Sequence, residues 1–283
     1  LNRRRRLLAN RWHGWRRRFV VGVQLHPRRR HFSRRSADAP AGPRADVHPA
    51  PPRAAALLAR EARGVTATLA NDTVNHVINV TVSSVGSGIV WTGTNIVAPN
   101  VWDLNTTVNW LIGGVPTDYI ENVPPGDAVT FNDLGSGTVL LSNTVSPASV
   151  TISNAAVDYT FQGTGQINSP GALTKVGNGA LTLNVPGTFA GNTVISNGTL
   201  NLGASQTFAN LSGNSAVTTS AGAPVVTVND SVDTTFSGNA SGALGFTKNG
   251  SGNFTMTGSN NFSGNVFVSS GTLTLDAGTI NSG

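Results

Sequence analysis

Residues 175–202 read KVGNGALTLNVPGTFAGNTVISNGTLNL, and residues 248–275 read KNGSGNFTMTGSNNFSGNVFVSSGTLTL. The two segments align without a gap at an offset of 73, and 12 of their 28 positions are identical. Internal repetition is read first, because a supersecondary unit copied along a chain sets the whole architecture. The shared Lys175/Lys248, Gly177/Gly250, Gly179/Gly252, Phe189/Phe262, Gly191/Gly264 and Gly198/Gly271 mark turns and anchor points. Between them run short alternating strands. Leu181-Thr182-Leu183 and Leu200-Asn201-Leu202 in the first copy are answered by Phe254-Thr255-Met256 and Leu273-Thr274-Leu275 in the second.

Within each copy the paired strands lie 19 residues apart (181 to 200, 254 to 273). Equal spacing predicts a coil of about twenty residues that lays each strand over its predecessor, with neighbouring strands roughly 4.8 Å apart. Alternation then turns Leu, Val, Ile and Phe inward and leaves Thr, Ser and Asn in ladders on the outside. Similar short runs, Val129–Phe131, Val139–Leu141, Val150–Ile152 and Val225–Val228, punctuate the chain from Val65 onward, and helical apolar spacing is nearly absent. An antiparallel sandwich is the competing arrangement, and Asn197-Gly198 and Asn249-Gly250 are hairpin dipeptides that would serve it. The repeated spacing favours parallel stacking, with Leu181, Leu183, Leu200, Leu202, Phe254, Leu273 and Leu275 inside.

Charged residues make up 11% of the 283 positions, and cysteine is absent, so a secreted form would rely on stacking instead of disulfides. The net charge of +6 averages two unlike pieces. Residues 1–63 hold 17 arginines and three acids (Asp38, Asp46, Glu61), a net +14, whereas residues 64–283 hold two lysines and ten acids, a net −8. The arginines cluster at Arg3–Arg6, Arg16–Arg18, Arg28–Arg30 and Arg34–Arg35, interleaved with Trp12, Trp15 and histidines. Phe19–Val23 is too short for the apolar core of a signal peptide, and Ser33-Arg34-Arg35 is followed by no apolar stretch. Such a polycation can attract phosphates, yet no folded motif presents the charges, so no specific nucleic-acid module is expected. Residues 1–63 read as a disordered basic arm, or as GC-rich DNA translated outside its native frame, given Arg, Ala and Pro without a single lysine. Leu1 at the start and Met256 as the sole methionine point the same way, toward a fragment.

The run Gly171-Ala-Leu-Thr-Lys-Val-Gly-Asn-Gly-Ala-Leu-Thr-Leu183, then Thr188–Thr193, then Asn197–Leu202, resembles the autotransporter-associated β-strand repeat. A second copy at about 242–278 departs at its start, where Leu244-Gly-Phe-Thr-Lys248 carries one extra residue before the lysine. The lead-in containing Trp102-Asp103, Asn109-Trp110 and Gly126–Phe131 is similar to the opening of large bacterial surface proteins built from this repeat. The resemblance spans roughly residues 90–278. It implies an all-β, right-handed parallel β-helix over 130–283, preceded by a cap and lead-in strands over 64–129, displayed at the bacterial surface. It also implies an outer-membrane translocator or anchor outside this chain, of which residues 1–283 would be an N-terminal piece.

Candidate sites are sparse. Trp91, Trp102 and Trp110 fall within twenty residues, where they could stack on sugar rings beside Asp103, Asp118, Glu121, Asp127 and Asp133; closing the open apolar end of the first coil is the stronger reading, because large aromatics suit that task. Asn229-Asp230-Ser231-Val232-Asp233 lacks the glycine and distal glutamate of a calcium loop and reads as a turn. β-Helix lyases and hydrolases need convergent acids with Arg or Lys. Residues 130–283 offer Asp133, Asp158, Asp230, Asp233 and Asp276, with Lys175 and Lys248 and no histidine. Lys175 and Lys248 share one repeat position, which suits a structural role. The expectation is therefore a non-enzymatic, adhesin-like passenger segment with no catalytic residue, metal or cofactor, binding glycans or surface proteins. The alternative is a glycan-active β-helix enzyme whose catalytic coils lie outside the repeats.

Overall fold

The computed structural model describes residues 65–72, 77–85, 88–121, 124–276 and 278–280. The arm over 1–63 and His76 lie outside the described residues. The chain forms two units, Leu1–Gly86 and Ser87–Gly283, so the lead-in expected over 64–129 is divided between them. In the first unit Val65–Asp72 and Val77–Val85 make an antiparallel hairpin with a bulge between Thr66 and Ala67. Among the described residues of both units there is no helix.

The second unit is a parallel β-solenoid of three faces and about seven turns. Its first face carries one inward column through Phe131, Ile152, Lys175, Ile195, Gly213, Phe236, Met256 and Leu275, each in register with the next. The second face stacks Tyr159, Leu181, Leu200, Val217 and Ala240 beside the column Val139, Phe161, Leu183 and Leu202. On the third face Phe189, Phe208, Val228, Lys248 and Val268 follow one another. Alternation gives every strand an apolar inner side, and stacking buries it. Leu181, Leu183, Leu200, Leu202 and Phe254 are each buried, as their spacing required. Full burial of such side chains stabilises by roughly 1.5–3 kcal/mol apiece.

Leu273 and Leu275 differ from expectation. They are half-buried, because among the described residues no coil stacks over Thr272–Leu275. Coil length also varies, from 17 residues (Leu200 to Val217) to 23 (Ile152 to Lys175), the difference being absorbed in the corners. The Asn-Gly pairs are such corners, not hairpins: Gly198 and Gly250 take φ of 70° and 82°, the left-handed region that glycine enters without a Cβ penalty.

Unequal coils put the two repeat copies out of phase. From Lys175, three turns along the first face pass Ile195 and Gly213 to Phe236, and two further faces lead through Ala240 to Lys248. The second copy is thus displaced by three and two-thirds turns. One sequence motif is built on two different faces.

At the opposite end, Ile89–Trp91 pairs in parallel with Val129–Phe131 and antiparallel with Trp110–Ile112, which in turn pairs with Val115–Thr117. This hairpin covers the first coil.

Candidate functional site

The aromatic group at the first coil is inward. Trp91, Trp102 and Trp110 are 0–1% exposed. Trp110 meets Trp91 edge-on at 4.9 Å between centroids and Trp102 at 5.2 Å, and Trp102 stands perpendicular to Tyr119 at 5.4 Å. Phe131 and Phe161 of the first two coils complete the cluster at 4.7 Å. The Trp91 indole donates to Ser136 O at 3.0 Å, while Trp102 Nε1 is buried without a partner. Edge-to-face pairs contribute about 0.5–1.5 kcal/mol beyond area burial. No ring of the three offers a face to solvent, so the cluster closes the end of the core and forms no sugar-stacking platform.

The acids near these tryptophans are engaged by the fold's own donors, and Glu121 and Asp127 both act on Tyr119. Asp103 accepts from Thr107 N (2.9 Å) and Thr107 Oγ1 (2.6 Å). Glu121 Oε2 takes the Tyr119 hydroxyl and Ser146 N, both at 2.6 Å, and Asp127 takes Ile120 N at 2.9 Å. Asp133 gathers the amides of Ala155, Ala156 and Val157 from the next coil, and the Ala156 bond leads in holding its carboxyl below the ordinary range. Burial, reinforced by Glu121, pushes the Tyr119 phenol far up. Asp158 and Asp233 act alike, since each accepts the amide opening a strand one coil on, Ala180 N at 2.6 Å and Asn253 N at 2.9 Å. No group of three or more His, Cys, Asp or Glu is arranged to hold a metal ion among the described residues.

The charged groups that do enter the core are the two repeat lysines. Lys175 and Lys248 are 0% and 1% exposed, each replacing an aliphatic residue in its column. Their stems fill the column and their ammonium groups reach corner carbonyls, as long basic side chains do when charge must find oxygen. Lys175 Nζ donates to Gly177 O in its own corner and to Asn197 O (3.2 Å) in the corner above. Lys248 Nζ donates to Asn249 O (2.7 Å), Gly250 O (2.9 Å) and, one coil on, Ser270 O (3.3 Å). Each lysine therefore ties two successive corners together. The corner above is glycine in both copies: a Cβ on Gly198 or Gly271 would lie 2.7 Å from the ammonium and closer still to a carbonyl below.

The copies differ beneath the lysine. Asn154 O accepts Gly179 N (3.0 Å) and Asp230 O accepts Gly252 N (3.1 Å), so Asn154 and Asp230 occupy the same place. Both side chains are fully buried. Asp230 Oδ1 lies 2.7 Å from Lys248 Nζ and makes no hydrogen bond of good alignment, so the contact is chiefly one of charge. Asn154 brings a neutral amide, whose Nδ2 donates to Val157 O (2.5 Å) and Ala180 O (3.0 Å). Without a buried counter-ion, burial draws Lys175 down to about 8, partly offset by Asp158. The pairing was hidden in the sequence because Asn154 precedes its lysine by 21 residues and Asp230 by 18.

Comparison with known families agrees with this geometry. The passenger-associated-transport-repeat family model matches residues 173–202 and 246–275. A β-solenoid carrying two copies of that repeat is similar to an autotransporter passenger-type β-helix. No curated protein and no solved structure matches the chain with significance.

Proposed function

We propose that this protein is a non-enzymatic, surface-displayed structural segment with an adhesin-like role. The observation that carries the reading is that Asp103, Glu121, Asp127, Asp133, Asp158 and Asp233 each accept backbone amides of the solenoid's own corners and strands. A lyase or glycosidase needs acids that converge on one substrate. The outside of the solenoid is repetitive and polar instead. On the third face Asn168, Thr188, Thr207, Thr227 and Thr247 stand in register over five coils, and on the first Thr130, Thr151 and Thr174 do the same. Such ladders offer one weak contact per coil and gain strength only through number.

The partners in this reading are glycans or surface proteins, and an outer-membrane translocator or anchor supplied outside residues 1–283. The test displays the chain on cells behind a translocator and follows adhesion to glycan and protein surfaces beside release of reducing sugar and unsaturated product. Adhesion that rises steeply when the solenoid is presented in tandem, with no product, is the expected result. Turnover that vanishes in Asp230→Asn/Asp233→Asn would overturn the reading in favour of a glycan-active enzyme.

A further inference from the structure

We propose that Lys248 and Asp230 are joined by an amide bond, a covalent staple between adjacent coils of the cysteine-free solenoid. The two groups meet at 2.7 Å between Nζ and Oδ1 with exposures of 1% and 0%. Three carbonyls, of Asn249, Gly250 and Ser270, hold the other side of the ammonium. Among the oxygens around Nζ, Oδ1 is the one basic enough to take a proton, and it lies as near as the closest carbonyl; once a proton has passed to it, a neutral amine is left against the carboxyl group. With both side chains at 1% exposure or less, neutralising the pair by this transfer removes two charges that burial disfavours.

The step then balances without any further reagent. Nζ attacks Cγ and a C–N bond forms. Negative charge collects on Oδ2, which Thr234 Oγ1 approaches at 3.2 Å as a hydrogen-bond donor. Oδ1, already carrying one proton, takes a second from Nζ, the Cγ–Oδ1 bond breaks, and one water leaves. Nothing is oxidised or reduced. Fixed juxtaposition supplies the driving force that dilute amines and acids lack: oriented groups can reach effective concentrations on the order of 10⁵ M or more. The first copy has no carboxylate at the equivalent place, since Asn154 stands there with its amide nitrogen bound to two carbonyls, so one staple is expected.

The sequence makes the test direct, because Lys175 and Lys248 are the only tryptic sites after Arg63. Purified full chain is denatured, digested with trypsin and mass-analysed. The staple is shown by a single 176–283 fragment lighter by one water, uncut after Lys248. Fragments 176–248 and 249–283 at full mass would overturn it. So would a water loss within 176–248 with cleavage intact, which marks cyclisation at Asp230 alone. In Lys248→Arg, which keeps the charge but forms no such amide, the fragments should appear at full mass, and persistence of the water loss there would also overturn it.

Discussion

A lysine inside an aliphatic column is stable only while oxygen surrounds its ammonium group, and the two repeat lysines meet that condition differently. Lys248 meets the Asp230 carboxyl group, the partner of the proposed staple, and Lys175 has the amide of Asn154 beneath it. Asp230→Ala leaves the Lys248 ammonium buried with neither counter-charge nor staple, so it should cost at least about 3–5 kcal/mol in chemical denaturation. Asn154→Ala, which deletes amide bonds and no charge, should cost about 1–3 kcal/mol. A smaller loss for Asp230→Ala than for Asn154→Ala would contradict this account of the clamp. The lysines also separate by pH. Lys175 sits near 8 in the folded chain and returns to its ordinary 10.5 when unfolded. Between these values the unfolded chain holds more protons, so stability rises with pH across that window, and the burial penalty is felt in full below it. Urea midpoints at pH 7 and pH 9.5 should show wild type gaining on Lys175→Met by up to about 1 kcal/mol per pH unit. A difference that is flat or falls would place the Lys175 proton elsewhere.

At the scale of strand and corner, the repeat is a device for turning the chain over a buried cation. Gly198 and Gly271 share φ of 70° and the same close approach to a lysine and a carbonyl below. Gly222 has a similar φ of 65°, yet nothing lies within 4 Å of a Cβ placed there. Gly222→Ala should thus cost only the left-handed penalty, about 1–2 kcal/mol, whereas Gly198→Ala adds displacement of the clamp and should cost clearly more. Thermal melts of the two variants measure the difference; equal losses would mean that the corner yields without disturbing Lys175.

Over the whole solenoid each coil leans on its neighbours, so position along the axis sets what a substitution costs. Leu200 lies mid-stack with coils on both sides, and Leu275 lies in the last described full strand of the first face. Leu200→Asp buries an unpaired charge and should cost several kcal/mol. Leu275→Asp can turn toward solvent and should cost less than half as much. Equal destabilisation would show Leu275 to be covered. The rotation of the second repeat also belongs to this scale: copies three and two-thirds turns apart face different directions, so one flat surface cannot engage both in the same way.

Much of this was legible in the chain itself. Period-two alternation and the recurring 19-residue spacing determined parallel stacking and the inward set around Leu181 and Leu200, because strand geometry leaves only two sides to choose between. The shared position of Lys175 and Lys248 marked them as structural. What each lysine touches was decided only by the tertiary structure. Corners of unequal length separate Asn154 and Asp230 from their lysines by different counts, and the same inequality turns the second copy onto another face. For Trp91, Trp102 and Trp110 one dimension favoured a cap on the first coil without showing it, since a tryptophan near acids reads much alike whether it covers a core or greets a ligand. Packing settled that, because the first coil exposes an apolar end whose burial outweighs leaving three indoles in water.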